Sequence, residues 1–151
     1  MIRRKRKKKS WRKAYLKSLK PVGEKPTVKR GRMKQILDGL ASMVVRKRDE
    51  YRCQKCYKEI SGANAHCSHV IPKSAGDKLR WDLNNMKTLC YFHHLRWWHK
   101  NPLEASEWFK ATFPDRWEYL EQNKGMAKFT DDELLEIKDK LERILFEKEK
   151  E

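Results

Sequence analysis

Three short stretches, CQKC at 53–56, HCSH at 66–69 and CYFHH at 90–94, hold most of the residues whose types and spacing suit metal chemistry. All four cysteines and all five histidines fall between positions 53 and 99 of a 151-residue chain. A structural zinc ion takes four thiolate or imidazole ligands in a tetrahedron. A CxxC turn supplies two of these from one tight bend, and a second CxxC or CxxH pair closes the cage. Cys53, Cys56, Cys90 and His93 meet that spacing, and a rival set exchanges His93 for Cys67. Such a cage leaves His66, His69, His94 and His99 unused, and four imidazoles beside a metal cage point to a reaction centre on the same elements.

The elements that must position these residues are legible in outline. Met33, Ile36, Leu37, Leu40, Met43 and Val44 recur at three and four, which predicts an amphipathic helix from Arg32 to about Asp49. Between Tyr51 and Leu89 the pattern breaks into short pieces separated by Gly62, Asn64, Pro72, Gly76, Asn84 and Asn85, as a hairpin with a long loop would. A helix is expected from near Tyr91 to about Lys100, limited by Pro102, and two more follow over Leu103–Phe113 and Pro114–Asn123. Thr130 and Glu133 form a capping box ahead of an apolar stripe, Leu134, Leu135, Ile137, Leu141, Ile144 and Leu145, that runs to about Glu147. That stripe suits a core or a partner-helix contact. Trp97, Trp98, Trp108, Phe109, Phe113 and Trp117 are read as core.

Composition narrows the partners. Lys and Arg total 37 against 21 Asp and Glu, a net charge of +16, which makes polyanions the default partners and nucleic acid the first choice. Residues 1–32 hold 15 basic residues and one acid, and RRKRKKK at 3–9 opens a segment without apolar periodicity. That segment reads as a disordered basic arm in which Arg3, Arg4, Lys5, Arg6, Lys7, Lys8 and Lys9 contact phosphates. It lacks the apolar run of a signal peptide, and nowhere does the chain offer the ~20 apolar residues that span a membrane. A soluble, unexported protein is expected, and in a reducing cytosol CxxC cysteines favour metal over disulfides.

The run CQKC, HCSHVIP, LRWDLNN and LCYFHH resembles the HNH nuclease motif in its ββα-metal form. More narrowly, HCSH, LRWDLNNMKTLC and HKNPLEASEWF are similar to the phage NinG/Rap recombination endonucleases, over about residues 50–113. The resemblance implies an α+β fold: a small treble-clef or ββα-metal core with a zinc knuckle, flanked by helices and the basic arm. Together with the basic arm and the helices read from spacing, it leads to a division of the chain into an arm at 1–31, a zinc-stapled nuclease domain with its leading helix at 32–113, and a C-terminal helical extension at 114–151. The resemblance also implies a metal-dependent DNA endonuclease, in phage recombination or in processing of branched or single-stranded DNA, in the cytoplasm of a bacterial host. Structural Zn²⁺ and catalytic Mg²⁺ or Mn²⁺ are the implied cofactors, and the C-terminal helix is a candidate homodimer contact.

Residue by residue, the resemblance makes His69 the general base, Asn85 the loop asparagine that fixes the base's orientation, and His94 a ligand of the catalytic ion. The last zinc position, commonly cysteine in these relatives, is His93 here. The residue before the base, often a second ligand of the ion, is Ser68. His66 is a candidate substitute, because residues 66 and 68 point to one side of an extended strand. His99 is less convenient, since five residues along an α-helix amount to a rotation of about 140°; it is expected to touch phosphate or cap the helix end. Asp82 suits a turn as well as a ligand role. Lys73, Lys78 and Arg80 are expected to orient the scissile strand. The competing expectations are a zinc-stapled DNA-binding protein without catalysis and an RNA- or ribosome-associated basic protein.

Overall fold

Spacing at three and four puts Met33, Leu37, Leu40, Ala41, Val44 and Val45 on the buried side of helix α1 (Arg30–Arg48), whose last turn carries Arg46, Lys47 and Arg48. Cations there complement the negative end of the helix dipole. In the computed structural model, which describes residues 28–146, that face meets Leu134, Leu141 and Leu145 of helix α5 (Asp131–Phe146). The apolar stripe of α5 is thus directed at α1. Its start is fixed by the capping box: Glu133 accepts from the Thr130 backbone N–H at 2.6 Å, and the Thr130 hydroxyl accepts from the Glu133 N–H at 3.2 Å.

Between these helices and the rest lies a two-stranded antiparallel sheet, β1 (His66–His69) and β2 (Met86–Leu89), in the register His66 opposite Leu89 and His69 opposite Met86. Successive side chains of a strand point to opposite faces. Cys67, His69, Met86 and Thr88 therefore share one face, and His66, Ser68, Lys87 and Leu89 share the other. Met86 joins the α1–α5 core together with Trp81. Leu89 joins a second core built from Cys53, Ile60, Ala65, Leu79, Trp97, Trp98, Ala105, Phe109 and Leu120. The sheet is the partition between the two cores, which is why β2 is buried along its whole length.

Helix α2 (Phe92–Trp98) differs from the ordinary helix expected over Tyr91–Lys100. It is wound wide, with the His99 N–H reaching back five residues to the His94 carbonyl at 3.3 Å. Helices α3 (Pro102–Thr112) and α4 (Pro114–Asn123) each begin with Pro in the first turn, where a missing N–H costs nothing. The aromatics expected to be core are core: Trp97, Trp98 and Phe109 are buried, and Trp108, Phe113 and Trp117 pack against them.

The chain is α+β, and no helix among the described residues is long and apolar enough to cross a membrane. The basic run Arg3 to Lys9 lies outside the described residues.

A candidate metal cage beside a histidine-lined cleft

The cage is built by docking one tight turn onto the sheet and the start of α2. The Tyr57 N–H closes the turn on the Cys53 carbonyl at 2.7 Å, and the Gln54 N–H bonds the Thr88 carbonyl of β2 at 2.9 Å. Tyr57 takes a left-handed φ of 59°, which turns the chain sharply after the second cysteine. The Cys53 N–H and the Lys58 carbonyl, 3.0 Å apart, tie the two sides of the loop together. Cys90 directly follows β2 and His93 lies in the first turn of α2, so the other half of the cage arrives from the junction of those two elements.

The result brings one ligand atom from each of Cys53, Cys56, Cys90 and His93 within 4.8 Å of one another. His93 Nδ1 lies 3.2 Å from Cys90 Sγ and 3.6 Å from Cys53 Sγ. Those separations suit ligands on a tetrahedral ion with ~2.3 Å metal–sulfur and ~2.0 Å metal–nitrogen bonds. Burial pushes the Cys53 thiol up, but backbone N–H groups around it, those of Cys90, Cys56 and Lys55, outweigh that and leave it below its ordinary value. Donors aimed at sulfur favour the thiolate a metal needs. The four residues could hold a metal such as zinc. Cys67, the rival ligand, instead packs against the α1–α5 core, where burial raises its thiol above the ordinary range.

At the end of the sheet nearest β1's last residue lies a cleft of about 580 Å³, lined by His69, His94 and His99 with Asp38, Lys73 and Trp98. His69 donates from Nε2 to the Arg80 carbonyl at 2.9 Å. A carbonyl only accepts, so the ring carries its proton on Nε2 and leaves Nδ1 as the acceptor. Burial holds the His69 pKa below its ordinary value against the opposing pull of that bond.

The side-chain hydrogen bonds of Asn85 go to the loop and not to the His69 ring. It is 1% exposed and ties down the loop between the strands, donating to the Ile71 and Leu79 carbonyls at 3.0 Å each and accepting from the Ile71 N–H at 2.7 Å. Leu79 immediately precedes Arg80, so Asn85 acts on His69 only through the backbone that carries the accepting carbonyl.

The wide winding of α2 overturns the objection to His99. His94 and His99 stand 3.0 Å apart, Nε2 to Nε2, because a helix bonding five residues apart brings positions 94 and 99 onto one side. On the other edge of the same ring, His94 Nδ1 lies 3.1 Å from His66 Nδ1. His94 is the middle of a row of three imidazoles. Burial, followed by the neighbouring His99 and His66, pulls its pKa to about 4, so the ring is neutral and offers a lone pair.

Several of the other candidate residues have partners within the fold. Lys73 and Arg80 are engaged by Asp38, at 2.9 Å each, and Arg80 also by Asp77 at 3.3 Å. They shape the loop, while Lys78 remains exposed. Asp82 takes the turn role, accepting from the Asn84 N–H at 2.8 Å and from the Tyr119 hydroxyl at 2.6 Å. Ser68 is 1% exposed, with no hydrogen-bond partner for its hydroxyl among the described residues.

Two residues escape motif reading. Asp38 is the only acid on α1, and its isolation among basic residues is the one signal the sequence carries. Lys87 is fully buried with its amine 3.1 Å from the Trp98 ring centroid; burial drives its pKa far down, and only the alternation of β2 could have placed it inside. Searches of protein-family models, curated proteins and solved structures return no match to this chain.

Proposed function

We propose that the protein is a metal-dependent DNA endonuclease of the HNH, ββα-metal type, hydrolysing phosphodiester bonds with His69 as general base. The observation that carries this reading is that His69 and His94, contributed by β1 and α2, line one cleft while the His69 ring is held in a single tautomer by the Arg80 carbonyl. Hydrolysis requires a water made nucleophilic and charge on the phosphate neutralised. His69, neutral near pH 7, takes the water's proton on Nδ1. His94 and either His99 or His66 would hold the Mg²⁺ or Mn²⁺ ion, which when bound polarises the phosphate. The neutral His94 ring, 3.0 Å from His99 and 3.1 Å from His66, fits that task, and these imidazoles answer the lack of a ligand at Ser68. Zinc in the Cys53, Cys56, Cys90 and His93 cage would brace the base of α2 and so hold His94 in place.

The net charge of +16 supports a polyanionic partner. If ~6–10 cations of the basic arm engage phosphates, affinity falls by about 10³–10⁵ between 50 and 200 mM salt. A role in recombination, with branched or single-stranded DNA as substrate, rests on the resemblance to phage recombination nucleases alone. A second reading, a zinc-stapled DNA-binding protein without catalysis, is favoured by the burial of Ser68 where relatives place a ligand. Incubation with plasmid, single-stranded and four-way-junction DNA in Mg²⁺, Mn²⁺ or EDTA separates the two. Cleavage that needs the divalent ion supports the enzyme, and binding without cleavage in any metal supports the second reading.

A further inference from the structure

Asp38 lies on α1, outside the stretch that carries the resemblance, yet its carboxylate is saturated by the loop that approaches His69. Oδ1 accepts from Trp81 Nε1 at 2.9 Å and from Arg80 Nε at 3.1 Å. Oδ2 accepts from the second Arg80 nitrogen at 2.9 Å and from Lys73 Nζ at 2.9 Å. Arg80 is therefore gripped through its side chain by Asp38, while its main-chain carbonyl accepts the proton of His69 Nε2. The residues on either side of that carbonyl are also held: Leu79 by Asn85, and Trp81 by Asp38 itself.

We infer that Asp38 is a positioning residue for His69: by fixing Arg80 and Trp81 it sets the carbonyl that keeps the imidazole in its Nε2–H tautomer, with Nδ1 as the acceptor. The functional meaning rests on the hydrolytic reading above; the structural claim does not. Asn85 secures the loop from the sheet side and Asp38 from the helix side, and the Arg80 carbonyl is where the two meet. A fork of donors on one carboxylate fixes direction as well as distance, because each bond constrains the guanidinium plane differently. Displacing a reacting group by as little as ~1 Å costs about 10²-fold in rate.

The test reads the ring directly. Long-range ¹H–¹⁵N spectra of the full-length, zinc-loaded protein labelled at histidine report which nitrogen of His69 bears the proton, with the resonance assigned by its loss in His69→Gln. Wild type is expected to show Nε2–H alone, Asp38→Ala a mixture of tautomers, and Asp38→Asn a smaller shift in the same direction. Asp38→Asn keeps an acceptor for Trp81, so it reports on positioning even where Asp38→Ala fails to fold.

In cleavage assays Asp38→Ala is expected to lower kcat about 10²-fold with KM within about twofold, and to have no further effect in a His69→Ala background. A folded Asp38→Ala or Asp38→Asn protein whose His69 keeps the pure Nε2–H tautomer overturns the inference, as does an equal loss of rate with and without His69. If wild type cleaves nothing, the hydrolytic reading fails, and the tautomer spectra still decide the role of Asp38.

Discussion

His94 and His99 hold their Nε2 atoms 3.0 Å apart although five residues separate them, and the wide winding of α2 is what makes this so. Two imidazole nitrogens at that spacing are placed to share one divalent ion. His99→Ala is expected to raise the Mn²⁺ concentration needed for half-maximal cleavage by at least the ~10–100-fold that losing a supporting partner of a metal site costs. A metal titration of cleavage checks this; an unchanged midpoint would leave His66 as the partner of His94.

The cage makes a separate demand on folding. Because a structural metal binds the folded chain far more tightly than the unfolded one, its binding free energy is folding free energy. Cys53→Ser is expected to abolish bound zinc and lower the melting temperature sharply, and EDTA should lower the wild-type melt in the same way. Metal analysis and thermal melts would show the cage to be wrongly assigned if both stayed unchanged.

Lys87 offers a prediction of the opposite sign. Its buried amine has no hydrogen-bond partner among the described residues and rests on the Trp98 ring. An unsatisfied buried polar group costs about 1–3 kcal/mol, and methionine has a similar shape without that penalty. Lys87→Met is expected to stabilise the fold by about that amount in denaturant titrations. A loss of stability would mean that the amine makes a contact the fold depends on.

Acid should weaken the clamp on Arg80. Burial opposes ionisation of Asp38, but the hydrogen bonds from Arg80 and Lys73 outweigh it and bring its pKa from 3.8 to about 2. A carboxylate with a depressed folded-state pKa binds fewer protons folded than unfolded, so its stabilisation is full above pH 3.8 and is lost as pH falls towards about 2. Asp38→Asn should therefore melt below wild type at pH 6, and the gap should close across that acidic window. A gap independent of pH would remove the charge from the account of this clamp.

What the sequence disclosed follows from how local each signal is. The stripe on α1, the first-turn prolines of α3 and α4 and the capping box at Thr130 are set by neighbours within one or two turns, and the structure has them within a residue or two. The cage was legible for the same reason: CxxC and CxxH are turn-sized units with a fixed chemical task. The proximity of His99 to His94 was not, because five residues of an ordinary α-helix turn by about 140°, and a change from four- to five-residue bonding leaves no mark in composition. Nor were Lys73 and Arg80, whose charges looked free until a carboxylate more than thirty positions away was folded against them. Asp38 illustrates the general limit, since its partners are set by tertiary docking of α1 onto the loop and by no spacing along the chain.

The central claim, that His69 abstracts a proton in a metal-assisted hydrolysis, is tested most directly by single-turnover cleavage of one labelled DNA substrate with His69→Ala and wild type, each saturating the DNA in Mg²⁺ or Mn²⁺. General-base catalysis contributes about 10²–10⁴-fold, so the substitution should cost that much in rate while DNA affinity and zinc content stay at wild-type values. Equal rates for the two proteins, or no ion-dependent cleavage by either, would contradict it.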